Sequence, residues 1–254
     1  MTEGVPDVAV SQGRETVFLV PGLLCDATVW RHQMAALGQR YDVRVPDLTA
    51  ANSIDAMVDL VLADAPSRFS IAGHSMGARV ALRLIERAPD RVDRLALLDT
   101  GVHPVAPDEA AKRQVLLDVS ASLGMRGLAD RWLPPMVRDG ALDRDPDLRA
   151  ALYAMVERMS PAVHRNQIAA LLGRPDATPG LAAIACPVLV GVGAEDRWSP
   201  PEQHAAIAKA IPGARYVVFP DSGHMAPMES PAEVTAALEA WMREPVFPKD
   251  AADE

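Results

Sequence analysis

Six short β-rich runs, several of them apolar at nearly every position and separated by stretches of helical periodicity, constrain the fold of this chain more than any other feature. They are TVFLV (16–20), YDVRV (41–45), FSIAG (69–73), RLALLD (94–99), PVLVGVG (187–193) and RYVVFP (215–220). A strand with one wet face alternates apolar and polar residues, whereas a strand covered on both faces need not. Such strands alternating with helices predict an α/β protein with a mostly parallel sheet flanked by helices. The 254 residues, 49 % of them hydrophobic, suffice for one large core. Val8–Val10 reads as an additional edge strand, and the tail after Glu244 as disordered.

Helix starts are marked as well. Ser53 caps a helix carrying Met57, Leu60 and Val61. Ser199-Pro200-Pro201-Glu202 and Ser230-Pro231-Ala232-Glu233 share one pattern, with Ser at the cap, Pro in the first turn and Glu following. The second opens a helix with Val234, Ala237, Leu238 and Trp241 on one face. The alternation is interrupted once. Between Thr100 and Cys186 no strand pattern occurs, although a crossover needs only about 10–12 residues. Leu148, Leu152, Met155, Val156 and Met159 share a helical face there, and Ser160-Pro161 starts another helix. We read 105–180 as a helical cap inserted into a core made of 1–104 and 181–254.

Gly73-His74-Ser75-Met76-Gly77 is a G-x-S-x-G pentapeptide lying between the strand FSIAG and a helix over 76–88. The pentapeptide alone is weak evidence. Strand–turn–helix is the context of a nucleophile elbow, in which small residues two positions either side let a strained serine stand above the sheet. A base and an orienting acid must then come from later strand ends. RYVVFP runs into Asp221-Ser222-Gly223-His224, and PVLVGVG runs into Ala194-Glu195-Asp196. His224 is the candidate base and Asp196 the favoured acid; Asp99, which also ends a strand, and Glu195 stay open as alternatives. After VFLV, the turn Pro21-Gly22-Leu23-Leu24 offers a backbone N–H, from Leu23 or else Leu24, that with the N–H of Met76 forms an oxyanion site.

Other chemistries find less support. A net charge of −9 without basic runs argues against nucleic acid. The six histidines show no paired metal-ligand spacing, no Gly-rich loop suits a nucleotide, and the two cysteines form no CxxC, so no metal and no cofactor is expected. No leader pattern and no apolar run of about 20 residues is present, which predicts a cytoplasmic protein with no membrane partner. A homo-oligomer stays open.

The segments GHSMG, GAEDRWSPPEQ and DSGHMAPMESP together resemble the α/β-hydrolase superfamily, in its small esterase and lactonase branch. The resemblance implies an eight-strand, mostly parallel sheet with a helical cap inserted after the sixth strand. It carries a triad, in the chain order Ser, Asp, His, onto Ser75, Asp196 and His224. The implied reaction is hydrolysis of a small carboxylic ester or lactone through an acyl-serine, needing no cofactor. C–C bond hydrolysis, a lyase or acyl-transfer reaction, and a slow or non-catalytic small-molecule receptor are the alternatives. Leu24, His103, Trp132, Met136, Trp198 and Met225 are the candidate substrate contacts, with Tyr153, Met155 and Met159 as further possibilities in the insertion.

Overall fold

The structure, a computed structural model, describes residues 13–246. Strands β1 (Thr16–Val20), β2 (Asp42–Arg44), β3 (Phe69–His74), β4 (Val92–Leu98), β5 (Val188–Gly193) and β6 (Arg215–Phe219) form one sheet in the order β2-β1-β3-β4-β5-β6. Every neighbouring pair is parallel. All five residues of β1 and all six of β3 and β5 are buried, as expected of strands covered on both faces. β6 lies at an edge and exposes Tyr216 and Val218. The resemblance implies eight strands; the described residues carry six. The strand expected at Val8–Val10 lies outside them, as does the tail beyond residue 246.

The helices are α1 (Arg31–Leu37), α2 (Ile54–Asp64), α3 (Met76–Arg87), α4 (Glu109–Trp132), α5 (Ala141–Arg144), α6 (Pro146–Glu157), α7 (Pro161–Leu172), α8 (Pro201–Ala210), α9 (Ala226–Glu229) and α10 (Pro231–Met242). α3 packs on β3 and β4, and α2 packs on α3. α10 packs on β4 and β5, with α1 against it. From α4 to α7 the chain lies between β4 and β5, with α4 packed on α6 and α7. Counted on the described strands, this segment follows the fourth. Gly124 (φ 69°) interrupts α4 with a backbone conformation that other residues adopt at a cost. Among the described residues no helix is long and apolar enough to cross a membrane.

Local details depart from the sequence reading in three places. Ser53 does cap α2, accepting from the Ala56 N–H, but Leu60 is 41 % exposed and the buried face is Ile54, Met57, Val58 and Val61. Ser199 does not cap α8, because Pro200 holds the cap position and the Ser199 N–H is turned to Asp196. Ser230 holds the cap position of α10, but its hydroxyl donates to the carbonyl of Pro220 instead of accepting from the helix.

The chain leaves β1 toward β2 on one side and returns to β3 on the other. In a parallel sheet this reversal opens a crevice at the carboxyl ends of the two strands. The turn after β1 and the Ser75 turn after β3 face each other across it.

Candidate active site

Ser75 joins β3 to α3 with φ 55° and ψ −115°, a conformation in which its side chain crowds the backbone. The two glycines make the turn sterically possible. A Cβ on Gly73 would stand 2.3 Å from the Gly77 carbonyl oxygen, and one on Gly77 would stand 2.2 Å from that of Val20. The turn is held from below: the Ser75 N–H donates to the Leu98 carbonyl at 2.8 Å, and Thr100 Oγ1 donates to the Ser75 carbonyl at 2.9 Å.

His224 Nε2 lies 2.8 Å from Ser75 Oγ, and its Nδ1 lies 2.8 Å from Asp196 Oδ2. The other oxygen, Asp196 Oδ1, accepts from the N–H groups of Trp198 (2.8 Å) and Ser199 (2.9 Å). Burial alone would raise the Asp196 pKa, but the charge and hydrogen bond of His224 and the two amides outweigh it and hold the carboxyl below its usual range. An ionised Asp196 sets the tautomer: Nδ1 carries the proton and Nε2 is free to accept from the serine.

Asp99 is placed otherwise. Its Oδ1 accepts from the Gly193 N–H at 2.9 Å, and Oδ2 stands 3.7 Å from His74 Nε2. Burial first, and the Asp196 charge second, raise its pKa well above the usual carboxylate range. Glu195 is exposed. His74 lies beneath the site, 1 % exposed, and donates from Nε2 to the His224 carbonyl at 2.7 Å. Burial, then the neighbouring His224, push its pKa down to about 3, so it is a neutral strut under the His224 backbone. Gly22 permits this packing, since a Cβ there would come 2.9 Å from His74 Nδ1.

The turn after β1 divides its two amides. The Leu24 N–H donates to Gln167 Oε1 of α7 at 2.8 Å, whereas those of Leu23 and Met76 have no hydrogen-bond partner among the described residues. The geometry selects Leu23 over Leu24 as the free donor. Both Leu23 and Met76 border a cavity of about 270 Å³ that contains Ser75 and His224.

A family model for the alpha/beta hydrolase family matches residues 17–238. The chain belongs to the α/β-hydrolase family. It is 31 % identical over 249 residues to a putative carbamate hydrolase RutD of Caulobacter sp., covering 89 % of each chain. It is 27 % identical to a pimeloyl-[acyl-carrier protein] methyl ester esterase of Nitrosomonas europaea, covering 87 % of this chain and 93 % of that one. A solved thermophilic esterase from Thermogutta terrifontis, with malate bound, superposes with a TM-score of 0.83 at 29 % identity, covering 91 % of this chain and 90 % of the other. The protein is a hydrolase of esterase-like type.

In this α/β hydrolase four of the six expected substrate contacts, His103, Trp132, Met136 and Trp198, line the cavity. Leu24 and Met225 do not: each is buried in the core outside it, and the Leu24 amide is taken up by Gln167. Tyr153, Met155 and Met159 also stand outside, packed within the helical segment. Sequence reasoning passed over several residues that the fold brings to the hydrolase cavity, among them Arg79, Thr100, Ile168 and Leu171. Arg79 had a signal, since a helical residue four places after Ser75 shares its face. Glu229 had none. Its two oxygens accept from the N–H groups of Arg138 (2.8 Å) and Gly223 (2.9 Å), tying the His224 loop to the inserted segment. Burial pushes the Glu229 pKa up to about 7 against the opposing effect of these amides.

Proposed function

We propose that this hydrolase cleaves a small carboxylic ester or lactone through an acyl-Ser75 intermediate. The observation that carries the reading is the unbroken line of hydrogen bonds from Ser75 Oγ through the His224 ring to Asp196. Ser75 Oγ attacks the substrate carbonyl while its proton passes to His224 Nε2. The developing imidazolium is stabilised by Asp196, and the N–H groups of Leu23 and Met76 donate to the oxyanion. Collapse of the tetrahedral intermediate expels the alkoxide, which takes the proton from His224 Nε2. Water then attacks the acyl-serine, giving its proton to the same nitrogen, and Ser75 leaves with that proton as the acid is released. The likeness to a methyl ester esterase and to a solved esterase supports a carboxylic ester as substrate. In this scheme 105–180 acts as a cap that shapes the cavity through Trp132, Met136, Ile168 and Leu171.

The experiment is turnover of an ester and lactone panel, paired with labelling by a serine-directed phosphonate and mapping of the label. Ser75→Ala is expected to lose nearly all turnover and all labelling while keeping the wild-type circular dichroism spectrum. Turnover at wild-type rates in this variant refutes the assignment.

A further inference from the structure

The cavity that contains Ser75 is not electrically neutral. On one wall stand Arg79, Arg113 and Arg174, and between them a single carboxylate, Glu109. Arg174 grips both oxygens of Glu109 at 2.7 Å, and Arg113 reaches Oε1 at 2.7 Å. At the outer rim Asp108 and Lys112 cancel each other in a 2.6 Å pair. Glu109 is thus committed to two guanidinium groups, and the third has no acid of its own.

That third group is Arg79. Its Nη1 donates to the His103 carbonyl at 3.1 Å, and its Nη2 rests beside Gly101, where an added Cβ would come within 3.2 Å. Among the described residues no carboxylate oxygen lies within 4.0 Å of it. Further along the same helix the contrast is plain: Arg83 pairs with Asp55, and Arg87 with Asp59, both at 2.7 Å on the surface. The arginine facing the cavity is the one left without a counter-charge. Burial first, then the charge of Arg174, push its pKa down to about 9, and it stays protonated at neutral pH. A desolvated cation with like charges beside it is unfavourable until an anion joins it. Arg79 follows Ser75 by four residues on α3, about 6 Å of helical rise, so such an anion would sit a few bonds from a carbonyl held at Ser75.

We propose that Arg79 anchors a carboxylate on the acyl part of the substrate, making the preferred substrates half-esters of short dicarboxylic acids, or lactones that bear the same carboxylate. The proposal rests on the acyl-serine reading and narrows it. A guanidinium presents a planar pair of donors that match a carboxylate, so the anchor fixes orientation as well as adding affinity. The carboxylate also completes the wall, since two negative charges then face three positive ones.

The test is binding followed by turnover. Monomethyl succinate, glutarate and adipate, and their neutral dimethyl esters, are titrated calorimetrically into the Ser75→Ala protein at low salt. At least one half-ester is expected to bind about 10- to 100-fold more tightly than its diester. Adding Arg79→Gln removes that preference, and Arg79→Lys restores part of it. In the protein with Ser75 intact, the ratio of kcat/KM for half-ester over diester falls by a similar factor in Arg79→Gln. Equal binding of every half-ester and its diester overturns the proposal without reference to any variant. A preference that survives Arg79→Gln in a folded protein overturns the role of Arg79. The binding arm needs no chemistry. Failure of the acyl-serine reading therefore shows separately, as no turnover of either ester by the protein with Ser75 intact.

Discussion

Replacing Asp196 by asparagine separates the proposed orienting acid from every other carboxyl near Ser75. The asparagine side chain has one oxygen and one amide nitrogen to place in two fixed positions. The N–H groups of Trp198 and Ser199, at 2.8 and 2.9 Å from Oδ1, demand an acceptor there. The amide –NH2 is therefore forced into the Oδ2 position, 2.8 Å from His224 Nδ1. A donor at that point requires a bare Nδ1, which moves the ring proton to Nε2 and turns it toward Ser75. The imidazole can then no longer accept the serine proton. Loss of the correct tautomer in such a triad costs about 10⁴ in kcat, or about 5.4 kcal/mol of barrier at about 1.36 kcal/mol per tenfold. Asp99→Asn is the internal control. Asp99 accepts through Oδ1 from the Gly193 N–H, burial already disfavours its charged form, and an amide oxygen reproduces that contact. Its kcat is expected to stay within about tenfold of wild type, the range of one neutral hydrogen bond. The assay is steady-state hydrolysis of an activated ester, with the rate of phosphonylation of Ser75 and the melting temperature measured alongside. A loss below about 100-fold in folded Asp196→Asn would refute the tautomer argument, as would an equal loss in Asp99→Asn.

Further outcomes are expected. Trp132→Ala and Met136→Ala, which line the cavity, should change discrimination along an acyl-length series by about 10- to 200-fold, whereas Met155→Ala and Met159→Ala, buried outside it, should lose about 2–5 kcal/mol of stability without moving that preference. An unchanged preference in the first pair, or a shifted one in the second, contradicts the placement of these side chains. Glu229 should make stability fall as pH rises, because its folded pKa near 7 lies above the ordinary 4.5. Between these values the unfolded chain releases the proton that the folded protein keeps, so unfolding free energy declines with a slope approaching about 1.4 kcal/mol per pH unit. Denaturant titrations from pH 4.5 to 7 should show a shallower decline in Glu229→Gln, and equal slopes would mean that the carboxyl titrates normally.

Much of the scaffold was legible because burial on both faces leaves a simple mark on the central strands, a short run apolar at nearly every position. Ser75, Asp196 and His224 were legible because each closes or follows such a run, and strand ends in a parallel sheet converge on one edge. What the sequence did not reveal depends on the direction of single side chains. Leu23 and Leu24 are neighbours of the same type, yet one borders the cavity and the other is buried outside it. Ser199 and Ser230 both precede a proline-led helix, and neither hydroxyl caps it, because Ser199 is drawn to Asp196 and Ser230 to Pro220. The cationic wall draws on α3, α4 and the turn after α7, residues 79 to 174, and no local pattern announces that these will meet. Glu229 is similar, since its partners at 138 and 223 come from opposite sides of β5 in the chain.

The 2.8 Å bond from Leu24 N–H to Gln167 bears on how this protein could be re-engineered. Gln167 is 1 % exposed, and Arg158, ahead of α7, is joined to Asp26 and Thr28 on the far side of the same turn. The inserted helical segment and the turn that carries the Leu23 amide are therefore tied together through Gln167 and Arg158. A library that randomises α7 in search of new selectivity is expected also to disturb the proposed oxyanion donor, leaving many members slow for reasons unrelated to pocket shape. Transplanting the whole inserted segment from a relative carries the same hazard unless the acceptor at 167 travels with it. Diversity introduced at Trp132, Met136 and Ile168, with Gln167 and Arg158 kept, varies the lining and leaves these ties in place.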